Sequence, residues 1–225
     1  MNGRHEVKHY ISLTDYWVLR SRLETVLERD PHAGEDGAYQ IRSVYFDSPD
    51  DKALREKLDG VKNRDKYRIR YYNFDTEFIQ LEKKSKRGNL CIKSSEILQK
   101  EQVQDLLNGQ TDWMRQSRSE LMKELYRKMF EEGLRPTTIV DYIRDPFIFP
   151  AGNVRVTLDH DIRTGLRTTC FLDPDCVTIP VANAPIILEV KWDEYLPDIV
   201  RDAVQVPGKS ATAFSKYAAC RIYDF

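Results

Sequence analysis

Arginine grips phosphate bidentately and lysine adds a compact positive charge. The stretch NRDKYRIRYY, residues 63–72, places Arg64, Lys66, Arg68 and Arg70 at every second position. Side chains of a strand alternate faces, so these four cations line one face if the segment is extended. The following stretch, FIQLEKKSK, sets Glu82, Lys84 and Lys86 opposite Leu81 and Lys83. HEVKHY aligns Glu6 with Lys8, and VDYIRDPF aligns Tyr142 with Arg144. NVRVTLDHD sets Arg155, Thr157, Asp159 and Asp161 against Val154, Val156 and Leu158. IILEVKWD sets Glu189, Lys191 and Asp193 against Leu188, Val190 and Trp192. Six strands thus carry charge on one face and mainly apolar residues on the other.

Such alternation is ordinary for an antiparallel sheet with one wet face. Like charges stacked along and across strands, however, repel unless something neutralises them. The apolar faces need cover, and helices can supply it. If the covered sheet closes, its charged face becomes a lumen, so a closed barrel is one solution. A polyanion accompanied by a divalent cation would make that lumen favourable.

The elements that must position these residues follow from periodicity and capping. Residues 4–11 read as a short strand. Ser12 to Arg29 reads as a helix, capped by Ser12 or Thr14, with Leu19, Leu23, Val26 and Leu27 as its apolar stripe. Strands are expected at 41–47, 62–73, 77–86 and 90–97, with a turn and short helix in SPDDKALREKLDG. Helices are expected at 101–108 and 112–132, the second ending at Gly133. Strand patterns recur at 137–149, 153–163, 166–172, 176–181 and 185–193. A short helix covers 196–204, and SATAFSKYAACRIYDF is helical at its start. Strand runs with inserted helices argue for an α+β fold with a mostly antiparallel sheet. No repeat or linker interrupts the chain, so residues 1–225 read as one domain.

Composition narrows the function classes. The 225 residues are 41% hydrophobic and 32% charged, with 35 basic and 36 acidic side chains and a net charge of −1. No bulk attraction to nucleic acid or membrane follows from that balance. The longest apolar runs, such as Ala184 to Val190, are too short to span a bilayer, and MNGRHEVKHY has no signal-peptide core. Cys91, Cys170, Cys176 and Cys220 show no CxxC spacing. They read as reduced thiols of a cytoplasmic protein, neither a zinc site nor a disulfide frame. His5, His9, His32 and His160 form no spaced cluster, and no Walker loop or Ser-His-Asp set is present.

The ordered series RHEVKHYI, YFDSPDDKAL, KYRIRYY, LEKKSK, VDYIRDPF with VRVTLD, ILEVKW and SKY resembles the VTC domains. These are the polyphosphate polymerase domains of the vacuolar transporter chaperone family, within the triphosphate tunnel metalloenzyme (CYTH-like) superfamily. The resemblance runs from about residue 4 to 217. It implies a closed eight-stranded antiparallel barrel, a tunnel with helices packed outside. It further implies an ATP-dependent enzyme that lengthens inorganic polyphosphate with Mn²⁺ or Mg²⁺.

Matched position by position, the resemblance assigns Lys8 to the first basic strand position and Arg68 and Arg70 to the RxR pair. It assigns Lys84 to the ExK lysine, Lys93 to the next basic strand, and Arg144 and Arg155 to the later arginines. Glu189 matches the metal-binding glutamate, with Glu6, Glu82 and Asp159 as possible helpers, and Lys216 matches the SKY lysine. Arg68, Arg70, Lys84, Arg144, Arg155 and Lys216 are the expected catalytic cations. Lys8, Arg64, Lys66, Lys86, Lys93 and Lys191 are the expected substrate-binding ones. Each has a plainer reading: Lys84 can pair with Glu82 or Glu189, Glu189 can be a counter-ion, and Asp159 can orient Arg155. Tyr10, Tyr45 and Tyr142 are more often packing residues than ligands.

Hydrolytic relatives carry ExExK in the first strand, whereas this chain has RHEVK, with Arg4 at the first acidic position. That departure favours a polymerase over a two-metal hydrolase. The chain also lacks the SPX domain and membrane helices of eukaryotic polymerase complexes, which suits a stand-alone bacterial-type member. A tripolyphosphate or nucleoside triphosphate hydrolase, or a binding module that only grips phosphate chains, are the alternatives.

Overall fold

A computed structural model describes residues 4–88, 90–168 and 170–221. The chain divides into two compact units, each with its own hydrophobic core. Unit 1 holds residues 1–40, 142–162 and 180–215, and unit 2 holds 41–141, 163–179 and 216–225.

In unit 1, β1 (His5–Ile11) pairs antiparallel with β10 (Ile186–Trp192), and β10 with β8 (Val154–Thr164). Next along this path lies β7 (Arg135–Phe149), whose second half belongs to the unit. Two helices cover the apolar side. Helix α1 (Leu13–Val26) begins at Ser12 in a capping box: Ser12 Oγ accepts the Asp15 N–H, and Asp15 accepts the Ser12 N–H. Its Tyr16, Leu19 and Leu23 pack with Val200 and Ala203 of α5 (Asp198–Ala203) against Val154, Val156, Leu158, Leu188 and Val190. The helix stops three residues before the expected Arg29. Leu27 is already extended, and β2 (Glu28–Arg29) adds to β7, where the Arg29 guanidinium sits 4.5 Å from the Phe147 ring centre.

In unit 2, the first half of β7 is followed by β3 (Tyr39–Asp47), β4 (Asn63–Tyr72), β5 (Ile79–Arg87) and β6 (Leu90–Leu98). Tyr67, Ile69 and Tyr71 of β4 and Ile79 and Leu81 of β5 form the apolar side. Over them lie α3 (Lys100–Leu107) through Val103 and Leu106, and α4 (Glu120–Glu131) through Leu121, Met122 and Leu125. Burying each such aliphatic side chain stabilises by about 1.5–3 kcal/mol, and this cover keeps the opposite face of the strands presented.

The α+β antiparallel architecture expected from alternation is present. Besides the end of α1, six expectations need correction. The described pairings end at β1 and β6, so the path is open rather than a closed barrel. The helix expected over 112–132 is two pieces, a 3-10 turn at Asp112–Gln116 and α4, because Ser117 is extended and Ser119 caps a new helix. No strand forms in the described part of 166–172. Leu166 has φ +53°, Thr168 turns back on Gly165, and Phe171 supplies a core side chain from a loop. Thr169 in that stretch lies outside the described residues. Of the strand expected at 176–181 only the two-residue β9 (Ile179–Pro180) forms. The SATAFSKYAACRIYDF stretch becomes helical only at Lys216, where α6 (Lys216–Cys220) starts, and its residues 222–225 lie outside the described set.

The sixth concerns the cysteines. Cys170 and Cys176 form a disulfide, where all four thiols were expected reduced. Turns Cys170–Asp173 and Asp173–Cys176 fold the six-residue spacing until the Cα atoms are 5.8 Å apart, within bonding reach. Cys91 is exposed and free, and Cys220 is buried and free. No helix among the described residues is long and apolar enough to cross a membrane.

The YFDSPDD stretch explains one further element. Asp51 precedes α2 (Lys52–Leu58) with φ +57° and offers no side-chain cap. Asp47, fully buried, reaches across instead: Oδ1 accepts the Ala53 N–H at 2.7 Å and Oδ2 the Leu54 N–H at 3.1 Å. Asp47 Oδ2 also accepts the Tyr217 hydroxyl, which ties α6 to β3. One carboxylate thus caps one helix and anchors another. Asp47→Ala should lower the unfolding free energy by about 3 kcal/mol or more, read in urea titrations, because it strands several buried donors together. A loss under about 1 kcal/mol would show that the cap is dispensable.

Candidate phosphate-binding site

The charged face of unit 2 is built by register. Arg68 of β4 lies directly between Tyr45 of β3 and Glu82 of β5, and Arg70 lies between Ser43 and Gln80. Lys66 stands opposite Lys84, which stands opposite Lys93, and Arg64 stands opposite Lys86. Glu82 is buried, 2% exposed, and serves three cations. Arg68 Nε donates to it at 2.7 Å, Lys93 Nζ lies 2.6 Å away, and Arg70 Nη1 lies at 3.8 Å. Burial alone would raise the Glu82 pKa. Arg68, Arg70 and Lys93 outweigh that and hold it far below the usual carboxylate range.

Aromatic rings complete this face. Tyr45 accepts a hydrogen bond from Arg68 Nη1 at 2.8 Å and stacks on Tyr217, ring centres 5.0 Å apart. Lys66 Nζ sits 5.3 Å from the Tyr217 ring centre. Burial raises the Tyr217 phenol above its ordinary pKa, and Asp47 adds to that, so the hydroxyl stays a donor. Ser43, beside Arg70, is 1% exposed, and its Oγ has no hydrogen-bond partner among the described contacts. A buried, unsatisfied hydroxyl next to arginine is a ready donor for an anion.

Unit 1 carries the remaining expected residues in a different charge state. Lys8 of β1 faces Glu189 of β10, and Glu6 faces Lys191, which faces Arg155 of β8. Lys8 Nζ lies 3.1 Å from Glu6 and 3.2 Å from Glu189, and Lys191 contacts both carboxylates too. Burial disfavours the Lys8 ammonium, but Glu189 and Glu6 together raise its pKa. For Lys191 burial prevails, and the pKa falls despite the same two acids. Arg144 forms a two-pronged pair with Asp159 at 2.6 and 2.8 Å. Arg155 Nη2 donates to Asp30 Oδ2 at 3.0 Å and to the Tyr39 hydroxyl. Each of these four cations therefore has a carboxylate beside it. Thr157, next to Glu189, is 2% exposed with an unpartnered Oγ1.

Glu189 acts here as a counter-ion, held between two ammonium groups. Among the described residues no group of three or more His, Cys, Asp or Glu side chains could hold a metal. Asp159 pairs with Arg144, and Glu82 serves three cations of unit 2. Glu189 with Glu6 fits a hard divalent ion only if phosphate oxygens complete its shell and draw Lys8 and Lys191 away.

Sequence reasoning identified the cations but missed Tyr45, Asp47 and Tyr217 as their supports, and Asp30 and Tyr39 as partners of Arg155. Asp30 sits in a loop with no periodicity. Asp47 and Tyr217 belong to quoted motifs, which was the one available signal. Lys216, the expected SKY lysine, is half-buried and opens α6 beside Tyr217.

Lys66 yields a pH prediction. Burial, with Lys57, Arg64 and Lys84 nearby, lowers its pKa from 10.5 to about 7, Asp47 opposing only in part. Above pH 7 it is therefore largely uncharged, and a bound polyanion restores the ammonium. Tripolyphosphate binding near pH 8 should take up a proton, so affinity falls as pH rises from about 7 towards 10.5. Calorimetry in two buffers of different ionisation enthalpy measures this uptake. Uptake that persists in Lys66→Met would assign the proton elsewhere.

A protein-family model described as the VTC domain matches residues 3–223. Among solved structures, a Hippeastrum adenylyl cyclase candidate described as having a dominant triphosphatase activity superposes with TM-score 0.55 at 14% identity, covering 98% of this chain and 95% of its own. A Bacillus halodurans adenylate cyclase candidate gives TM-score 0.49 at 13% identity, covering 84% and 81%. At such identity the Hippeastrum likeness speaks for the fold alone. A comparison with curated proteins gave no match. With nearly its whole length matched by that one family model, the chain belongs to the VTC domain family.

Proposed function

We propose that the protein binds the phosphate chains of ATP and inorganic polyphosphate and transfers the γ-phosphoryl group of ATP to a growing polyphosphate. The observation that carries this reading is the charge imbalance of unit 2. Arg64, Lys66, Arg68, Arg70, Lys84, Lys86 and Lys93 share one face of β4, β5 and β6, where the alternating positions supply one acid, Glu82. An anion of high charge density would stabilise such a face.

Phosphoryl transfer needs positioning and charge neutralisation more than a reactive side chain. Arg68 and Arg70, oriented by Glu82 and Tyr45, hold phosphate oxygens by charge-assisted hydrogen bonds. Lys84 and Lys93 add positive charge beside them, and Ser43 Oγ is placed to donate. Taken by itself, unit 1 offers Lys8 and Lys191, which can exchange Glu6 and Glu189 for anion oxygens, and Arg144 and Arg155, which Asp159 and Asp30 orient. Glu189 and Glu6 would hold Mn²⁺ or Mg²⁺ jointly with those oxygens. The ion, when bound, neutralises charge that develops between the phosphates. The attacking group is a terminal phosphate oxyanion, already deprotonated near neutral pH, so no general base is needed. The bond from the γ-phosphorus to the bridging oxygen breaks, ADP leaves, and the acceptor chain gains one phosphate.

A second reading, hydrolysis of triphosphates, rests on the likeness in fold to a protein described as a triphosphatase. Against it stands Arg4, which occupies the position of the first acid of the hydrolase ExExK pattern and is bound to Asp193 at 2.9 Å. Localisation in the cytoplasm fits a consumer of ATP.

Arg68→Ala should weaken tripolyphosphate binding by about 1.5–3 kcal/mol in calorimetry. Unchanged affinity would remove the β4 face from the site. Glu189→Gln should retain or tighten that binding, since it releases Lys8 and Lys191, yet lose metal-dependent turnover. Full turnover in that variant would reduce Glu189 to a counter-ion.

A further inference from the structure

The loop from Cys170 to Cys176 is tied into unit 2 by side chains of two strands and by its own disulfide. Phe171 is 0% exposed and meets the Tyr71 ring edge-on, ring centres 4.8 Å apart. The Tyr71 hydroxyl donates to the Phe171 carbonyl at 2.7 Å, and Arg42 Nη1 donates to the Asp173 carbonyl at 2.5 Å. Arg42 is itself held in a two-pronged pair with buried Asp141. Arg42 of β3 stands directly opposite Tyr71 of β4, and the adjacent pair is Ser43 with Arg70. Side chains alternate along a strand, so the loop packs on the far side of the residues that set Ser43 and Arg70 on the phosphate face. Residues 170–176 form turns and no strand, so no ladder of backbone bonds takes over when the Cys170–Cys176 bond opens.

Resting on the cytoplasmic phosphate site proposed above, we infer that Cys170 and Cys176 are a thiol–disulfide switch on phosphate binding. Oxidised, they clamp Phe171 against Tyr71 and hold the Ser43–Arg70 pair in place. Reduced, they free the loop and loosen that pair. Accessibility suits exchange, because Cys170 is exposed while Cys176 is 7% exposed. An external thiolate reaches the Cys170 sulfur first. Attack there breaks the S–S bond, joins the thiol to Cys170 and expels Cys176 as a thiolate, which takes up a proton. A second thiol then displaces the first from Cys170. Two external thiols are oxidised to one disulfide, and two cysteine thiols remain on the protein. Thr168 Oγ1 lies 3.9 Å from Cys176 Sγ and donates to the Gly165 carbonyl at 2.6 Å, so it can accept from the released thiol. Pairing is selective, since Cys91 and Cys220 are free. In a reducing compartment a disulfide with one exposed sulfur forms and breaks with the thiol pool, which makes it a sensor.

The test compares the full chain treated with oxidised glutathione and with dithiothreitol, each then freed of reagent without air. Three quantities are read: reactive thiols in denaturant, amide hydrogen exchange over 170–176, and tripolyphosphate affinity by calorimetry. The oxidised chain should show two thiols and the reduced chain four. Reduction should speed exchange at Phe171 about tenfold or more and weaken tripolyphosphate binding about threefold or more. Cys170→Ser with Cys176→Ser should behave as the reduced chain under both treatments. Cys91→Ser, which removes the exposed free thiol, should keep the full response. Four thiols after the oxidising treatment, or exchange that reduction leaves unchanged, would overturn the switch. So would a double variant that still responds, or a loosened loop with unchanged affinity, and the proposed function would survive each of these. A chain that binds no tripolyphosphate in either state would overturn the proposed function and the switch with it.

Discussion

Arg68, Arg70 and Lys93 converge on one buried carboxylate, Glu82, and the character of unit 2 depends on that imbalance. One acid cannot neutralise three bases, yet it can fix where they point. The cost of holding them together is met from the other side of the sheet. There Tyr67, Ile69, Tyr71 and Leu81 lock β4 and β5 beneath α3 and α4. The apolar core therefore fixes the charged face from beneath.

Unit 1 solves the same electrostatic problem differently. Lys8 and Lys191 share Glu6 and Glu189, Arg144 has Asp159, and Arg155 has Asp30. These cations are balanced before any phosphate arrives, so an anion must compete with built-in carboxylates. On the proposed reading, a divalent cation accompanying the phosphate would give Glu6 and Glu189 a new partner. The two units thus differ in charge balance: in unit 2 three bases meet at one acid, and in unit 1 each of these cations has a carboxylate beside it.

Much of this was legible in the chain itself. Period-two alternation placed Arg64, Lys66, Arg68 and Arg70 on one face, and the same rule placed Glu189 and Lys191 together. Alternation is local, so it survives without knowledge of partners. Contacts at long range were not legible. Nothing in the spacing of Asp47 told that it would cap α2 and hold Tyr217, 170 residues later. The hydrophobicity around Phe171 suits a strand, yet a disulfide-closed loop delivers it to the core. Helical periodicity ran straight through Ser117 and Ser119, where the backbone turns and a new cap begins. Glu189 shows the limit at a site: its type suits both metal and counter-ion, and only its neighbours Lys8 and Lys191 reveal what it does without ligand.

The most direct test of the account follows two products at once. Purified protein would be incubated with ATP, Mn²⁺ and a pyrophosphate primer, with ADP and long-chain polyphosphate measured together. The account predicts ADP release matched by growing chains. ADP accompanied by free phosphate, with no chains, would contradict it and make the protein a triphosphate hydrolase.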